Sequence, residues 1–302
     1  MRIVSIGEIL WDVFPSGEHL GGAAFNFSAH ARRLGDEVLF LSAVGKDERG
    51  RAALAKAGEL GLGTEFIREV EDTATGIVSV TVDPDGQPSF TIHRPAAYDC
   101  LELDANDMQR IAAFSPHWIY FGTLYQMVPQ ARELARHLMV CVPEARRFYD
   151  VNLRKDSYTP ELVKDLLALA DAVKLNEDEV AKVDEMLGAR HGTLESFCRS
   201  RMEEFGWQAV CVTRGGSGCA ILTEEGYVEV AGYSVKVQDT VGAGDSFAAA
   251  FVHGLEKGWP AAQIGDFANR VGALVASRAG GTPEWTPDEC YALSPSLRSM
   301  SQ

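Results

Sequence analysis

Apolar positions along the chain switch between two periods, and that switching predicts alternating strands and helices. Arg2-Ile3-Val4-Ser5-Ile6-Gly7 reads as a first strand. Phe27, Ala31 and Leu34 then recur at helical spacing, with Gly35 placed to close the helix. A strand through Val38-Leu39-Phe40-Leu41 follows, then a helix from Ala52 to Leu60 stopped by Gly61. From Gly76 the period is two. Val78, Val80 and Val82 share a face, the turn Asp83-Pro84-Asp85-Gly86 intervenes, and Phe90 and Ile92 alternate on the return. This hairpin pattern inside an otherwise alternating chain predicts a small β appendage, read as a lid built mainly from about 10–22 and 72–98.

From Trp118 the alternation is regular. Ile119-Tyr120-Phe121, Phe148-Tyr149-Asp150-Val151, Ala172-Val173-Lys174-Leu175, Val210-Cys211-Val212-Thr213 and Ala220-Ile221-Leu222 read as strands. Gln130 to Met139, the stretch opened by Thr159-Pro160-Glu161, and Glu177 to Leu187 read as helices. Tyr233 to Val237 reads as a last strand before two helices, Ser246 to Lys257 and Ala261 to Ala279. The expected fold is α/β: a mostly parallel sheet with helices on both faces and ligands at the carboxyl ends of the strands. No linker or repeat divides residues 1–302, so one domain is expected.

Composition narrows the partners. A net charge of −15 argues against nucleic acid or an anionic membrane. Six cysteines without a CxxC pair read as free or buried thiols, not a disulfide frame or zinc site. The N-terminus has no signal-peptide pattern, and no apolar run approaches the roughly 20 residues of a membrane span. A cytoplasmic location is the expectation.

The chemistry concentrates in Asp239-Thr240-Val241-Gly242-Ala243-Gly244-Asp245-Ser246-Phe247, between the last expected strand and a helix. Backbone N–H groups at a helix start lack internal partners and attract anions. Asp245, inside that turn, would repel a phosphate but is suited to accept the proton of a hydroxyl attacking a phosphoryl group. Gly21-Gly22-Ala23-Ala24-Phe25-Asn26 allows close approach of a ligand, with Asn26 offering donor and acceptor to a polyol or simply capping a turn. Asp12 is a candidate acceptor for sugar hydroxyls. Asp150, Asn152 and Arg154 alternate at a strand exit, where a planar guanidinium suits a transferring phosphoryl. Asn176 and Glu179, at i and i+3, fit either a water-mediated Mg²⁺ site or a helix capping box. Thr213-Arg214-Gly215-Gly216-Ser217-Gly218 is a glycine-rich loop fit to approach a nucleotide. No GxxxxGK[ST] motif occurs, and no GxGxxG opens a first βαβ unit.

In this order the motifs resemble the PfkB carbohydrate kinases, the ribokinase-like superfamily, from end to end. GGAAFNFSAHARRLG from Gly21 to Gly35 resembles the N-terminal signature and Asp239 to Phe251 the C-terminal one. Within the family, bacterial fructokinases are most similar, through Gly7–Pro15, Arg94–Asp99, Tyr149–Arg154 and Lys174–Glu177. The resemblance implies ATP-dependent transfer of a phosphoryl group to a ketohexose hydroxymethyl, D-fructose to D-fructose 6-phosphate. It implies Asp245 as base, the N–H groups of Gly242, Ala243 and Gly244 as an anion hole, and Arg154 as the charge stabiliser. Asp12, Gly22, Asn26 and Arg94 would hold the sugar. Lys174, Asn176, Thr213, Gly215, Gly218 and Asn269 would bind the nucleotide, with Glu179 holding Mg²⁺ through water. Asp239 and backbone carbonyls of Val241, Val275 and Gly280 would bind a monovalent cation such as K⁺, and the lid would pair two subunits. The alternatives are a kinase for another sugar or sugar acid (2-keto-3-deoxygluconate, ribose, a nucleoside) or a non-catalytic sensor. Phe25 departs from the family pattern and is expected to reshape the sugar pocket or the dimer contact. Arg214 departs too, as a phosphate contact or an exposed side chain, and Glu284 stands near the expected cation loop.

Overall fold

The computed structural model describes residues 1–15, 17–82 and 88–293. Its strands in chain order are β1 (Arg2–Ile6), β2 (Leu10–Phe14), β3 (Gly17–Gly21), β4 (Glu37–Gly45), β5 (Ile67–Val70), β6 (Gly76–Val82), β7 (Pro88–Ile92), β8 (Trp118–Gly122), β9 (Arg146–Asp150), β10 (Ala172–Asn176), β11 (Ala209–Thr213), β12 (Cys219–Thr223) and β13 (Gly226–Val230). Nine of them form one sheet in the order β13-β12-β11-β10-β9-β8-β1-β4-β5. The seven from β11 to β5 run parallel, and β12 and β13 add an antiparallel edge. This is the ribokinase-like layout.

Both faces are buried, which is why these strands read as near-continuous apolar runs. Val4, Ile6, Phe121, Tyr149 and Val173 face one core, with Met108, Leu138, Leu166 and Phe197 from the helices over it. Ile3, Tyr120, Phe148 and Ala172 face the other, against Phe27, Phe251, Ile264 and Val271. Thr159 caps the Pro160–Leu169 helix by accepting from the Leu162 N–H, with proline at the first turn as its sequence implies.

The hairpin expectation is met by β6 and β7, which pair antiparallel; the Asp83–Gly86 turn lies outside the described residues. A four-stranded sheet, β3-β2-β6-β7, is built on that hairpin. The stretch from about 10 to 22, expected to contribute to the β appendage, supplies β2 and β3, although Asp12 and His19 interrupt the apolar alternation and left their individual bounds unread. One expected strand is absent: Tyr233–Val237 has no ladder partner. It is extended chain whose Tyr233 is buried under the Arg270 guanidinium, and apolar alternation reads the same whether or not a strand pairs with it. Phe25 is also corrected. It is fully buried against Phe40 in the core, so it lines neither a pocket nor a surface. The six cysteines are all free. Among the described residues no helix is long and apolar enough to cross a membrane.

Candidate active site

The carboxyl ends of the parallel strands bring the predicted residues to one end of the main sheet. β1 runs into Gly7 and Glu8, β9 ends at Asp150, and β10 and β11 end at Asn176 and Thr213. Helix Ala243–Glu256 points its N-terminus at that end. Its cap, Gly242, has φ 76°, a left-handed value, and a β-carbon there would collide with the Gly281 carbonyl. No side chain caps this helix, and among the described residues the N–H groups of Gly242, Gly244 and Asp245 meet no protein acceptor. The Ala243 N–H makes a long bond of 3.3 Å to Thr240. A helix start left open in this way is built for an anion.

Asp245 sits in the first turn, half-covered at the floor of the cleft. Its carboxylate accepts from Asn26 Nδ2 at 2.8 Å, across 219 residues of chain. Burial, with the Asp150 charge added, raises its pKa to about 7, opposed by the Asn26 hydrogen bond, Lys174 and Arg154. Asn26 is 3% exposed and its Oδ1 has no partner. Gly22 has φ 105°, and a β-carbon on it would stand 2.5 Å from the Glu8 carbonyl, so only glycine lets the chain pass. A β-carbon on Gly21 would stand 2.8 Å from Asp12 Oδ2 and 4.0 Å from Asn26 Nδ2, so those side chains converge above it. Asp12 is raised to about 6, first by burial and then by Asp239, against the pull of Arg154 and His19. Arg154 is exposed, and its charge bears on Asp12, Asp245 and Glu8.

Beneath the turn lies a buried pair, Lys174 Nζ to Asp150 Oδ1 at 2.8 Å, whose Asp150 Oδ2 has no partner. Burial works against the Lys174 charge, but Asp150, Glu179 and Asp245 together hold its pKa above the usual lysine value. The Tyr120 hydroxyl, also buried and unpartnered, lies in the field of Asp150, Asp245 and Glu8. Sequence reasoning missed Glu8 and Tyr120. Glu8 occupies the turn after a buried strand, an odd place for an acid and thus a readable signal; its Oε1 accepts the Ala23 N–H at 3.0 Å. Tyr120 carries no such signal, because periodicity reads its ring and ignores its hydroxyl.

The other expected residues are placed as follows. Arg94 is ion-paired with Asp99 and donates to the Leu124 carbonyl at 3.1 Å. Asn176 and Glu179 form a full capping box, and Glu179 Oε1 also accepts from the Leu153 N–H at 2.8 Å. Both Glu179 oxygens therefore hold backbone. Thr213, Gly215, Gly218 and Asn269 line a cavity of about 820 Å³ together with Ala243, Gly244 and Phe247. Asn269 Nδ2 donates to the carbonyls of Val230 and Ala231 at 3.2 and 3.1 Å. Arg214 pairs with Glu177 and Glu229 at the rim. Asp239 accepts from the N–H groups of Val241 and Gly280, each at 3.0 Å, while the Val275 carbonyl takes the Arg278 N–H. Among the described residues no cluster of three or more His, Cys, Asp or Glu is arranged to hold a metal.

A raised-pKa carboxylate beside an open helix N-terminus, with the Asp12–Asn26 corner on one side and a glycine-lined cavity on the other, has the groups that phosphoryl transfer to a hydroxyl needs. The chain matches the pfkB family carbohydrate kinases over residues 13–288 and belongs to that family. It is a carbohydrate kinase.

Its relatives span several substrates. PH1459 of Pyrococcus horikoshii, an uncharacterized sugar kinase, is 29% identical over 95% of this chain and 94% of its own. The PH1459 structure in complex with ATP superposes with a TM-score of 0.81 at 27% identity, covering 95% of this chain and 96% of that one. Aminoimidazole riboside kinase of Salmonella typhimurium is 27% identical over 92% of this chain and 90% of its own. Fructokinase-2 of Solanum lycopersicum is 27% identical over 93% and 92% respectively.

Proposed function

We propose that this kinase transfers the γ-phosphoryl of MgATP to the hydroxymethyl group of a ketohexose, converting D-fructose to D-fructose 6-phosphate. The observation that carries the reading is the direct Asn26–Asp245 contact at the open end of the Ala243–Glu256 helix. It joins the base to the sugar corner and to the anion site at once. Asp12 and the unpartnered Asn26 Oδ1 would accept from sugar hydroxyls, with Gly22 allowing the approach and Arg94 bracing the Asp99 turn beside it. Asp245 would take the hydroxymethyl proton onto its carboxylate. The open N–H groups and Arg154 would meet charge on the transferring oxygens, so the protein's contribution is positioning and electrostatics.

ATP supplies the phosphoryl group. The cavity suits it: Asn269, apolar side chains such as Phe247 and Val235, the loop glycines and the start of the Ala243–Glu256 helix share one lining, within the 300–1,000 Å³ or so usual for small-molecule sites. Mg²⁺ commonly needs only one or two carboxylates beside substrate phosphates, so its binding here would not require the three-ligand cluster that is absent among the described residues. The spare Asp150 Oδ2 is better placed to help hold it than Glu179, whose oxygens already accept backbone N–H groups. For K⁺, Asp239 with the carbonyls of Val241, Val275 and Gly280 is the proposed set. Asp239 already ties the Val241 and Gly280 loops together. The four-stranded sheet, carrying Asp12, would act as lid and as the surface joining two subunits.

A second reading has support. The aminoimidazole riboside kinase relative points to a riboside. His19, directly opposite Asp12 on β3, offers an additional ring donor of the kind a sugar acid's carboxylate would use. ADP release with fructose, ribose, glucose, mannose, 2-keto-3-deoxygluconate and adenosine at equal concentration, with KCl or choline chloride, separates these readings. Turnover dominated by fructose is expected; dominance of another acceptor keeps the mechanism and replaces the substrate.

A further inference from the structure

One face of the Ala23–Arg33 helix carries more than Asn26. His30 and Arg33 follow at i+4 and i+7 on the same side, and all three meet the segment that follows the Ala261–Ala276 helix. Arg33 Nη1 donates to the Pro283 carbonyl at 2.8 Å. His30 is 1% exposed and makes two ring contacts: Trp285 Nε1 to Nδ1 at 3.0 Å, and Nε2 to the Gly281 carbonyl at 2.9 Å. An indole N–H only donates, so Nδ1 must be the bare nitrogen and the proton must sit on Nε2. The neutral ring thus donates to the Gly281 oxygen. Burial supports this by lowering the His30 pKa to about 4.

Gly281 is wedged against two parts of the reaction centre. A β-carbon on it would come 2.9 Å from Asn26 Nδ2 and 3.0 Å from Oδ1. From the other side, a β-carbon on Gly242 would strike the Gly281 carbonyl, the atom that His30 grips. Asp239 anchors the neighbouring Gly280 N–H at 3.0 Å. The Gly280–Gly281 strap therefore backs both the amide that holds Asp245 and the turn that presents the open N–H groups.

We propose that His30, oriented by Trp285, is a positioning residue for phosphoryl transfer: its grip on the Gly281 carbonyl sets the Gly242 turn and the Asn26 amide in register with Asp245. It touches no reacting atom. Its contribution is to the geometry of the transition state, where small displacements of a base are expensive. The inference rests on the assignment of Asp245 as base, and the experiment separates the two.

Steady-state kinetics are compared for the wild type and for His30→Leu, His30→Gln, Trp285→Phe and Asp245→Asn, with melting temperature and ATP affinity measured on each. His30→Leu removes the donor. Trp285→Phe leaves the ring but frees its tautomer. His30→Gln restores a donor to the carbonyl. Expected are kcat losses of about 10- to 100-fold for His30→Leu and several-fold for Trp285→Phe, with sugar KM and ATP affinity within about twofold, and recovery of most of the rate in His30→Gln. A folded His30→Leu protein with wild-type kcat, beside an inactive Asp245→Asn, overturns the positioning role and leaves the base intact. Weakened affinities with kcat unchanged also overturn it, by reducing His30 to a packing residue. If His30→Leu does not fold, Trp285→Phe decides by the same criteria. An active Asp245→Asn removes the base assignment and the inference with it.

Discussion

At the scale of single residues, the centre is governed by two acids that burial has moved. Asp245 at about 7 and Asp12 at about 6 are both raised, so each is ionised only above its shifted value. A base must be ionised to act, and kcat/KM reports the free enzyme. kcat/KM is therefore expected to fall as pH drops through about 7, and to fall more steeply below about 6 where a second proton binds. Asp12→Asn should remove only the steeper portion; a pH–rate series on both proteins checks this. Asp245→Asn should retain calorimetric binding of sugar and nucleotide and lose two to four decades of turnover, roughly the worth of a positioned general base.

The same raised pKa has a thermodynamic sign. The folded state prefers the protonated Asp245, so the stability linked to that proton is present below about 4 and lost as pH rises through about 7. Asp245→Asn should therefore melt higher than wild type at pH 8, with the difference closing toward pH 4. A melting series across that range is the check.

Among the elements, the capping box of the Glu177–Met186 helix links stability to the site. Glu179 accepts from Asn176 at the start of its own helix and from Leu153 in the loop leaving β9, next to Arg154. It fastens the Arg154 loop to β10. Removing it strands the buried Leu153 N–H at about 1–3 kcal/mol and frees the more exposed Asn176 N–H to water. Glu179→Ala is expected to lower the urea midpoint in metal-free buffer and to cut kcat through the loosened Arg154; a stability loss seen only with Mg²⁺ present would restore a metal role.

Much of this layer was legible in the sequence. Thr159-Pro160, the period-two run from Gly76, and the glycines around Asp245 each state a local backbone preference that the fold obeys. What was not legible depends on partners distant in sequence. The core-facing turn of Phe25, the missing neighbour of Tyr233–Val237, and the Tyr120 hydroxyl among three acids are properties of packing. Asn176 and Glu179 carried two readings, and only the Leu153 contact, from another element, shows what occupies the carboxylate.

For the molecule as a whole, the two sheets divide the labour. The main sheet is buried on both faces, whereas the four-stranded sheet ends in the edge strands β3 and β7, and Phe90 on β7 is 46% exposed. Open edges with apolar side chains invite pairing with another chain. A homodimer is expected by sedimentation at micromolar concentration, and Phe90→Glu is expected to dissociate it without unfolding the subunit. A wild type that sediments as monomer would exclude the dimer.

The span of the Asn26–Asp245 contact has a consequence for biosynthesis. The residues of the proposed sugar corner all precede residue 27, while the proposed base, the anion site and the strap behind them all lie beyond residue 238. A chain cut short before residue 239 lacks the proposed base and anion site, and with them the Gly281 strap that backs Asn26. On that assignment catalytic competence arrives late and in a single step, and copies cut short before residue 239 are expected to consume no ATP.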